Sequence, residues 1–389
     1  MSTWQLMATA PLGLESIVAR ELTRLGYEPT QVENGRILFH GDDDAIARCN
    51  LWLRTADRVL LVAGMFRATT FDELFEGTKA LPWENWLPKD AAFPVSGRSV
   101  KSQLSSVPAC QAIVKKAIVD RLSTAYHQSW FDETGHTYAL EVALHKDDVL
   151  LTMDTSGEGL HKRGYRTLNG PAPLKETLAA ALIDLSRYES HRPFADPMSG
   201  TGTIAIEAAL KGLNMAPGRL RTFAAESFSF VNHEAFARAR EEARDRELRQ
   251  PLDMIASDID PGARKIAEVH AQKAGVRQFI RFETMDIRAF KSDAEYGCVV
   301  TNPPYGERMG RDADMDALYH AMGQAARRLP TWSWFVIAAD PQFPRKFGRK
   351  SDKNRKLYNG RIECHFHQYL GPLPKRTFVK HDVTAREDD

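Results

Sequence analysis

Cysteine is scarce in this chain and never paired. Its four copies, Cys49, Cys110, Cys298 and Cys364, are scattered with no Cys-x-x-Cys pair. That excludes a disulfide framework and a zinc ribbon, and fits reduced thiols in the cytoplasm. Long apolar runs are missing too: none approaches the roughly 18 residues needed to span a membrane. The amino terminus, Met1-Ser2-Thr3-Trp4-Gln5, lacks the basic stretch and apolar core of a secretory leader. No charge sign is in excess. The formal net charge is +1, so any affinity for nucleic acid must come from local patches. What is present is a soluble globular composition, 43% hydrophobic and 26% charged. At 389 residues the chain exceeds one ordinary core, and two or three domains are expected.

Residues 1–56 read as a small α+β unit. Trp4–Ala10 alternates as a strand, and Leu14, Ile17, Val18, Leu22 and Leu25 have helical spacing closed by Gly26. Arg36–His40 is a second strand, and Asp42-Asp43-Asp44 offers N-cap oxygens to the next helix. Residues 57–156 form another α+β unit. It holds a strand from Arg58, a helix over Phe71–Ala80, a helix with Pro108 in its first turn, and a hairpin around Lys146-Asp147-Asp148. Glycine and proline mark residues 157–173 as a connector. From 174 to 389 helices alternate with strands, which implies a parallel sheet covered on both faces. Glu234–Arg249 mixes charge signs at helical spacing and is expected to be a solvated helix.

Four strand ends in this last part carry chemistry. After the first comes Asp196-Pro197-Met198-Ser199-Gly200-Thr201-Gly202-Thr203, where Gly200 and Gly202 let the backbone approach a ligand. A dinucleotide site would use Gly200, Gly202 and Ala205, with an acid about 20 residues on. The next strand-end acid, Asp258, lies more than twice that far away. S-adenosylmethionine fits the whole series. Asp196 would lie near its amino end, Asp258 would hold the ribose hydroxyls, Ile259 would meet the adenine, and Asp286 would accept from the adenine amino group. The fourth strand, Cys298–Thr301, ends in Asn302-Pro303-Pro304-Tyr305. The prolines supply carbonyls with no N–H of their own. Asn302 adds a side-chain acceptor, and Tyr305 adds an aromatic face. Such a turn suits a planar –NH2 group, whose hydrogens meet two acceptors while its lone pair points at an electrophile.

In this order of motifs the half resembles the class I S-adenosylmethionine-dependent amino-methyltransferases. Over residues 1 to about 375 the chain resembles bacterial RNA guanine-N2 methyltransferases that carry a THUMP domain. Arg163-Gly164-Tyr165-Arg166, Ala172-Pro173-Leu174-Lys175-Glu176-Thr177 and Asn302 to Arg308 carry that narrower likeness. Met198-Ser199 departs mildly from it, since relatives often have Phe-Cys there. The resemblance implies an α/β fold: a Rossmann-like methyltransferase sheet over 174–389, behind a ferredoxin-like unit (1–56) and an RNA-binding THUMP unit (57–156). It implies S-adenosylmethionine held by Asp196, Pro197, Ser199, Gly200, Thr201, Gly202, Thr203, Asp258, Ile259, Asp260, Asp286, Ile287 and Asn302. Catalysis would fall to Asn302, Pro303, Pro304 and Tyr305. The implied product is N2-methylguanine in 23S ribosomal RNA or its precursor, made by a stand-alone enzyme with no obligate protein partner. A transfer-RNA guanine is the alternative target. DNA adenine-N6 and protein-glutamine methyltransferases, which also grip an –NH2, remain as rivals, as do a dinucleotide oxidoreductase and a non-catalytic RNA-binding assembly factor.

Local bases are expected to meet RNA phosphates. They are Lys101, Lys115 and Lys116 in the second unit, Lys162, Arg163 and Arg166 around Tyr165, and Arg345, Lys346, Arg349 and Lys350 in a basic loop over Arg345–Arg361. Cys364-His365-Phe366-His367 alternates as a strand, so no metal site is expected there.

Overall fold

The computed structural model describes residues 3–168, 174–304 and 312–374. The amino-terminal half runs β1 (Trp4–Thr9), α1 (Glu15–Arg24), β2 (Pro29–Glu33), β3 (Arg36–Gly41) and α2 (Asp43–Trp52). It continues through β4 (Arg58–Arg67), α3 (Phe71–Lys79), β5 (Val95–Val100), α4 (Val107–Tyr126), β6 (Leu140–His145) and β7 (Asp148–Asp154). Local chemistry sets the boundaries. The Asp42 side chain accepts from the Ala45 N–H and starts α2. Thr70 and Glu73 close a capping box on α3. Lys146 and Asp147 have φ of 53° and 70°, which the tight hairpin between β6 and β7 requires.

These strands form one sheet, ordered β2-β3-β1-β4-β7-β6-β5. The ten-residue β4 is antiparallel to both β1 and β7, so the two amino-terminal units share a single continuous sheet. One face curves into a trough of about 970 Å³, with Leu38, Met65 and Leu150 in its lining and Arg36, Arg67 and Arg98 around them.

The second half runs α5 (Glu176–Leu185), β8 (Phe194–Asp196), α6 (Thr203–Gly212), α7 (His233–Asp245), β9 (Met254–Asp258), α8 (Pro261–Lys273) and β10 (Arg281–Thr284). Then come β11 (Cys298–Thr301), α9 (Asp312–Arg328), β12 (Ser333–Ala338), α10 (Phe343–Phe347), β13 (Lys353–Asn359) and β14 (Ile362–Tyr369). The sheet order is β10-β9-β8-β11-β12-β14-β13. The first five strands are parallel, and β14 and β13 close one edge antiparallel. Apolar side chains pack on both faces, Phe335 and Ile337 toward α5 and α6, Trp334 and Val336 toward α9. Chain order reverses between β8 and β11, and ligands of such sheets bind at the carboxyl ends of strands beside that switch point.

Three elements differ from expectation. Strand β2 was not foreseen. The segment Arg345–Arg361 is not a loop, because it takes in the end of α10 and the edge strand β13. Helix α7 is not merely solvated: Ala235, Phe236, Ala239 and Ala243 are buried in the core of the amino-terminal half. Its polar side also binds that half, since Glu242 receives two hydrogen bonds from the Arg48 guanidinium at 2.8 and 3.0 Å. Phe223 and Phe228 enter the same core. The reciprocal contact is made by α1, whose Leu14 and Ile17 join the apolar cluster of the second sheet. The two halves therefore complete each other's cores. Among the described residues no helix is long and apolar enough to cross a membrane, and no His, Cys, Asp or Glu cluster suits a metal.

Phe236 is 3% exposed and stacks on Phe223 with ring centroids 5.9 Å apart. Truncation to Phe236→Ala is expected to cost about 3–5 kcal/mol of stability. Urea unfolding measures it, and a native midpoint would show that α7 does not hold the halves together.

Candidate active site

The turn after β8 is built by glycine conformation and backbone anchoring. Gly200 and Gly202 have φ of +51° and +85°, values that side chains rarely tolerate. They face different surroundings. A Cβ on Gly202 would lie 2.9 Å from that of Ala267 on α8, whereas one on Gly200 would meet nothing within 4 Å. Gly202 thus serves close packing, and Gly200 keeps open the side on which a ligand would approach. The turn is tied to β9 by the Ser199 N–H donating to the Ser257 carbonyl at 2.9 Å, and by the Gly200 N–H donating to Asp258 Oδ2 at 2.8 Å.

Asp258 ends β9. Its Oδ1 accepts from the Asp260 N–H at 3.0 Å. Each carboxylate oxygen therefore holds one backbone amide and keeps further lone pairs for a ligand. Ile259 beside it is 68% exposed, an apolar side chain that the fold does not cover. Asp260 is occupied otherwise, capping α8 through the Gly262 N–H at 2.7 Å. Asp286 caps a short turn through the Arg288 N–H at 2.8 Å and pairs with the Arg288 guanidinium at 2.7 Å. Ile287 is buried. Pro197, Thr201 and Thr203 complete the turn, with Pro197 and Thr203 buried, and the Thr201 carbonyl lies 3.2 Å from His270 Nδ1.

Asp196 itself lies beneath the turn, 1% exposed. Its Oδ1 accepts from the Thr301 hydroxyl at 2.8 Å. Across the switch point, Asn302 and Pro304 are half-buried and Pro303 is buried. Tyr305, Glu307 and Arg308 lie outside the described residues. The structure thus brings Asp196, Ser199, Gly200, Asp258, Ile259, Asp286 and the Asn302-Pro303-Pro304 turn to the carboxyl edge of one sheet. Thr301 belongs with them, and no motif signalled it.

The bases expected to meet RNA divide. Arg163 is a correction: its side chain is 2% exposed and pairs with buried Glu207 on α6, which also accepts from the Tyr165 hydroxyl at 3.2 Å. Arg166 pairs with Glu176 at 3.1 Å. Lys346 is held between Asp316 and Asp340 at 2.6 and 2.7 Å, which raises its pKa and leaves little free charge. Lys115 sits 3.5 Å from the centre of the Phe93 ring and pairs with Glu133. Lys101, Lys116, Lys162, Arg345, Arg349 and Lys350 are exposed, although Lys162 pairs with Glu158 and Arg349 with Asp352.

Burial pushes the Asp196 carboxyl up to about 7, against the Thr301 hydroxyl and the Met198 amide, which favour the ionised form. The folded chain then keeps a proton that the unfolded chain releases between its ordinary value of 3.8 and about 7. The associated stability is full below 3.8 and is lost as pH rises through 7. Asp196→Asn has no charge to bury. Relative to the native protein it should gain roughly 2–3 kcal/mol on passing from pH 5 to pH 8. Urea unfolding at both pH values measures this, and parallel responses would refute the buried ionisable group.

Comparison with known proteins identifies the domains. Residues 163–368 match the family described as "RMKL-like, methyltransferase domain". Residues 5–60 match an RlmL ferredoxin-like domain, and 68–154 match a THUMP domain. The "Putative RNA methyltransferase YpsC" of Bacillus subtilis is 48% identical over 97% of this chain and 99% of its own. The "Ribosomal RNA large subunit methyltransferase K/L" of Vibrio parahaemolyticus is 32% identical over 94% of this chain, which spans 53% of that longer protein. Two solved structures each superpose with a TM-score of 0.92 over 96% of this chain. One, 53% identical over 97% of its own length, is a "predicted N6-adenine-specific DNA methylase" from Listeria monocytogenes. The other, 44% identical over all of its length, is described as "SMU.472, a putative methyltransferase complexed with SAH". The chain belongs to the RMKL-like family of S-adenosylmethionine-dependent RNA methyltransferases, with its catalytic domain behind a ferredoxin-like and a THUMP domain.

Proposed function

We propose that this enzyme methylates the exocyclic N2 amine of a guanine in 23S ribosomal RNA, in the cytoplasm. The observation that carries the reading is the meeting of two turns at one sheet edge. One is the glycine turn fixed to Asp258, and the other is Asn302-Pro303-Pro304. S-adenosylmethionine, when bound, supplies an electrophilic methyl group. Asp258 would take its ribose hydroxyls, Ile259 would cover its adenine, and Asp286 would accept from the adenine amine. Gly200 leaves room for the chain of the amino acid.

Asn302 and the Pro303 carbonyl would each accept one hydrogen of the target amine. Their grip holds the nitrogen lone pair toward the donor, and a proton leaves as that nitrogen becomes cationic. No strong base is required, because water or a carbonyl can take the proton. Tyr305 is proposed to stack on a base that is unpaired or flipped, a contact worth about 1–3 kcal/mol. Glu307 and Arg308 would supply an acceptor and a donor to the guanine N1 and O6 edge.

RNA as substrate is supported by the THUMP match and by the relatives' names. Exposed Arg67 and Arg98 lie along the trough of the first sheet, with Lys101 just past β5. Adenine-N6 methylation is the second reading, because the same acceptors fit that amine and one similar structure carries that description. The THUMP domain favours RNA over DNA.

Asp258→Ala should weaken S-adenosylmethionine binding by roughly 10- to 100-fold, the loss of hydrogen bonds to a charged acceptor. Asn302→Ala should lower the single-turnover rate on RNA by about 10²–10³ and leave cofactor affinity nearly unchanged. Calorimetry and rapid-quench assays separate the two. Native cofactor affinity in the first variant, or native turnover in the second, removes that residue from its role.

A further inference from the structure

One side chain joins the two turns of the site. Thr301 is the last residue of β11, fully buried, and immediately precedes Asn302. Asp196 is the last residue of β8 and opens the glycine turn. The backbone ladder between these strands pairs Phe194 with Cys298 and Ala195 with Val299, and goes no further. Beyond it β8 leads into the glycine turn and β11 into Asn302-Pro303-Pro304. There the Thr301 hydroxyl donates to Asp196 Oδ1 at 2.8 Å, across 105 residues of sequence. On its other side the glycine turn is held to β9 by backbone amides, at 2.9 and 2.8 Å. Toward β11 this side-chain bond ties it as well.

We infer that Thr301 is a positioning residue for methyl transfer: its hydroxyl, through Asp196, fixes the spacing between the cofactor turn and the amine-holding turn. The inference rests on the methyltransferase reading of the site. It follows from where the bond lies. Asp196 is bonded to the element that carries Asn302 and opens the element that carries Gly200, so a shift of one is passed to the other. In-line transfer is sensitive to such shifts, and a displacement of about 1 Å can cost about 10²-fold in rate. Asp196 also favours this donor for an electrostatic reason: an oxygen so deeply buried is costly without one.

The test uses the full chain, S-adenosylmethionine and RNA. Thr301→Val keeps the shape and removes the donor, while Thr301→Ser keeps the donor. The valine variant should lose about 10- to 100-fold in single-turnover rate at saturating RNA and cofactor. Its cofactor dissociation constant and RNA KM should stay within about threefold, and the serine variant should recover most of the rate. Should the valine variant fail to fold, Thr301→Cys, a weaker donor of similar size, should show the same split at smaller amplitude. A native rate in the folded valine or cysteine variant overturns the inference, as does an equal loss in the serine variant. A change in KM or cofactor affinity large enough to account for the lost rate also overturns it. If the native protein methylates no nucleic acid, the reading of the site has failed instead, and that control is run first.

Discussion

A carboxylate cannot be buried without partners, and those of Asp196 organise the site. Its hydroxyl donor comes from β11 and its amide donor from its own turn. Satisfying this one group links the ends of the two neighbouring strands at the switch point. It adds a side-chain tie toward β11 to the backbone amides that hold the glycine turn to β9. With it, the turns after β8 and β9 and the end of β11 are joined by hydrogen bonds along one sheet edge.

That edge is supported from behind by the junction of the two halves. Arg163 leaves the connector, enters the interior and meets Glu207 on α6, the helix that starts at the glycine turn. A buried pair of this kind is weak evidence for stability but demanding in geometry. It holds the connector in one place relative to the catalytic sheet. Helix α7 reaches back into the amino-terminal core, and α1 reaches forward into the catalytic one. The amino-terminal half is therefore not a loosely tethered module. An isolated fragment of residues 1–156 would lack Phe223, Phe228 and Phe236 from its core, so its RNA affinity would say little about the intact protein.

How much was readable in the sequence depended on how local the cause was. The placement of Asp196, Gly200, Gly202 and Asp258 at strand ends and in a turn was readable because strand, turn and helix follow within a few residues. Asp42 and Pro108 announced their helices for the same reason. Thr301 was not readable, since its partner lies 105 positions away. Arg163 and Lys346 looked like free cations because Glu207, Asp316 and Asp340 come near them only in the fold. Strands β2 and β13 lie at sheet edges, where pairing on one side needs no apolar alternation and charge is favoured. The apolar stripe of α7 is mostly alanine, so its charged residues dominated the pattern.

The central claim is transfer of a methyl group to the N2 amine of guanine, and the identity of the modified nucleoside tests it most directly. Ribosomal RNA lacking the modification is incubated with the native protein and methyl-labelled S-adenosylmethionine, digested to nucleosides and separated against standards. Label in N2-methylguanosine from 23S RNA is the predicted result. Label in N6-methyladenosine, or label retained only in protein, would contradict it.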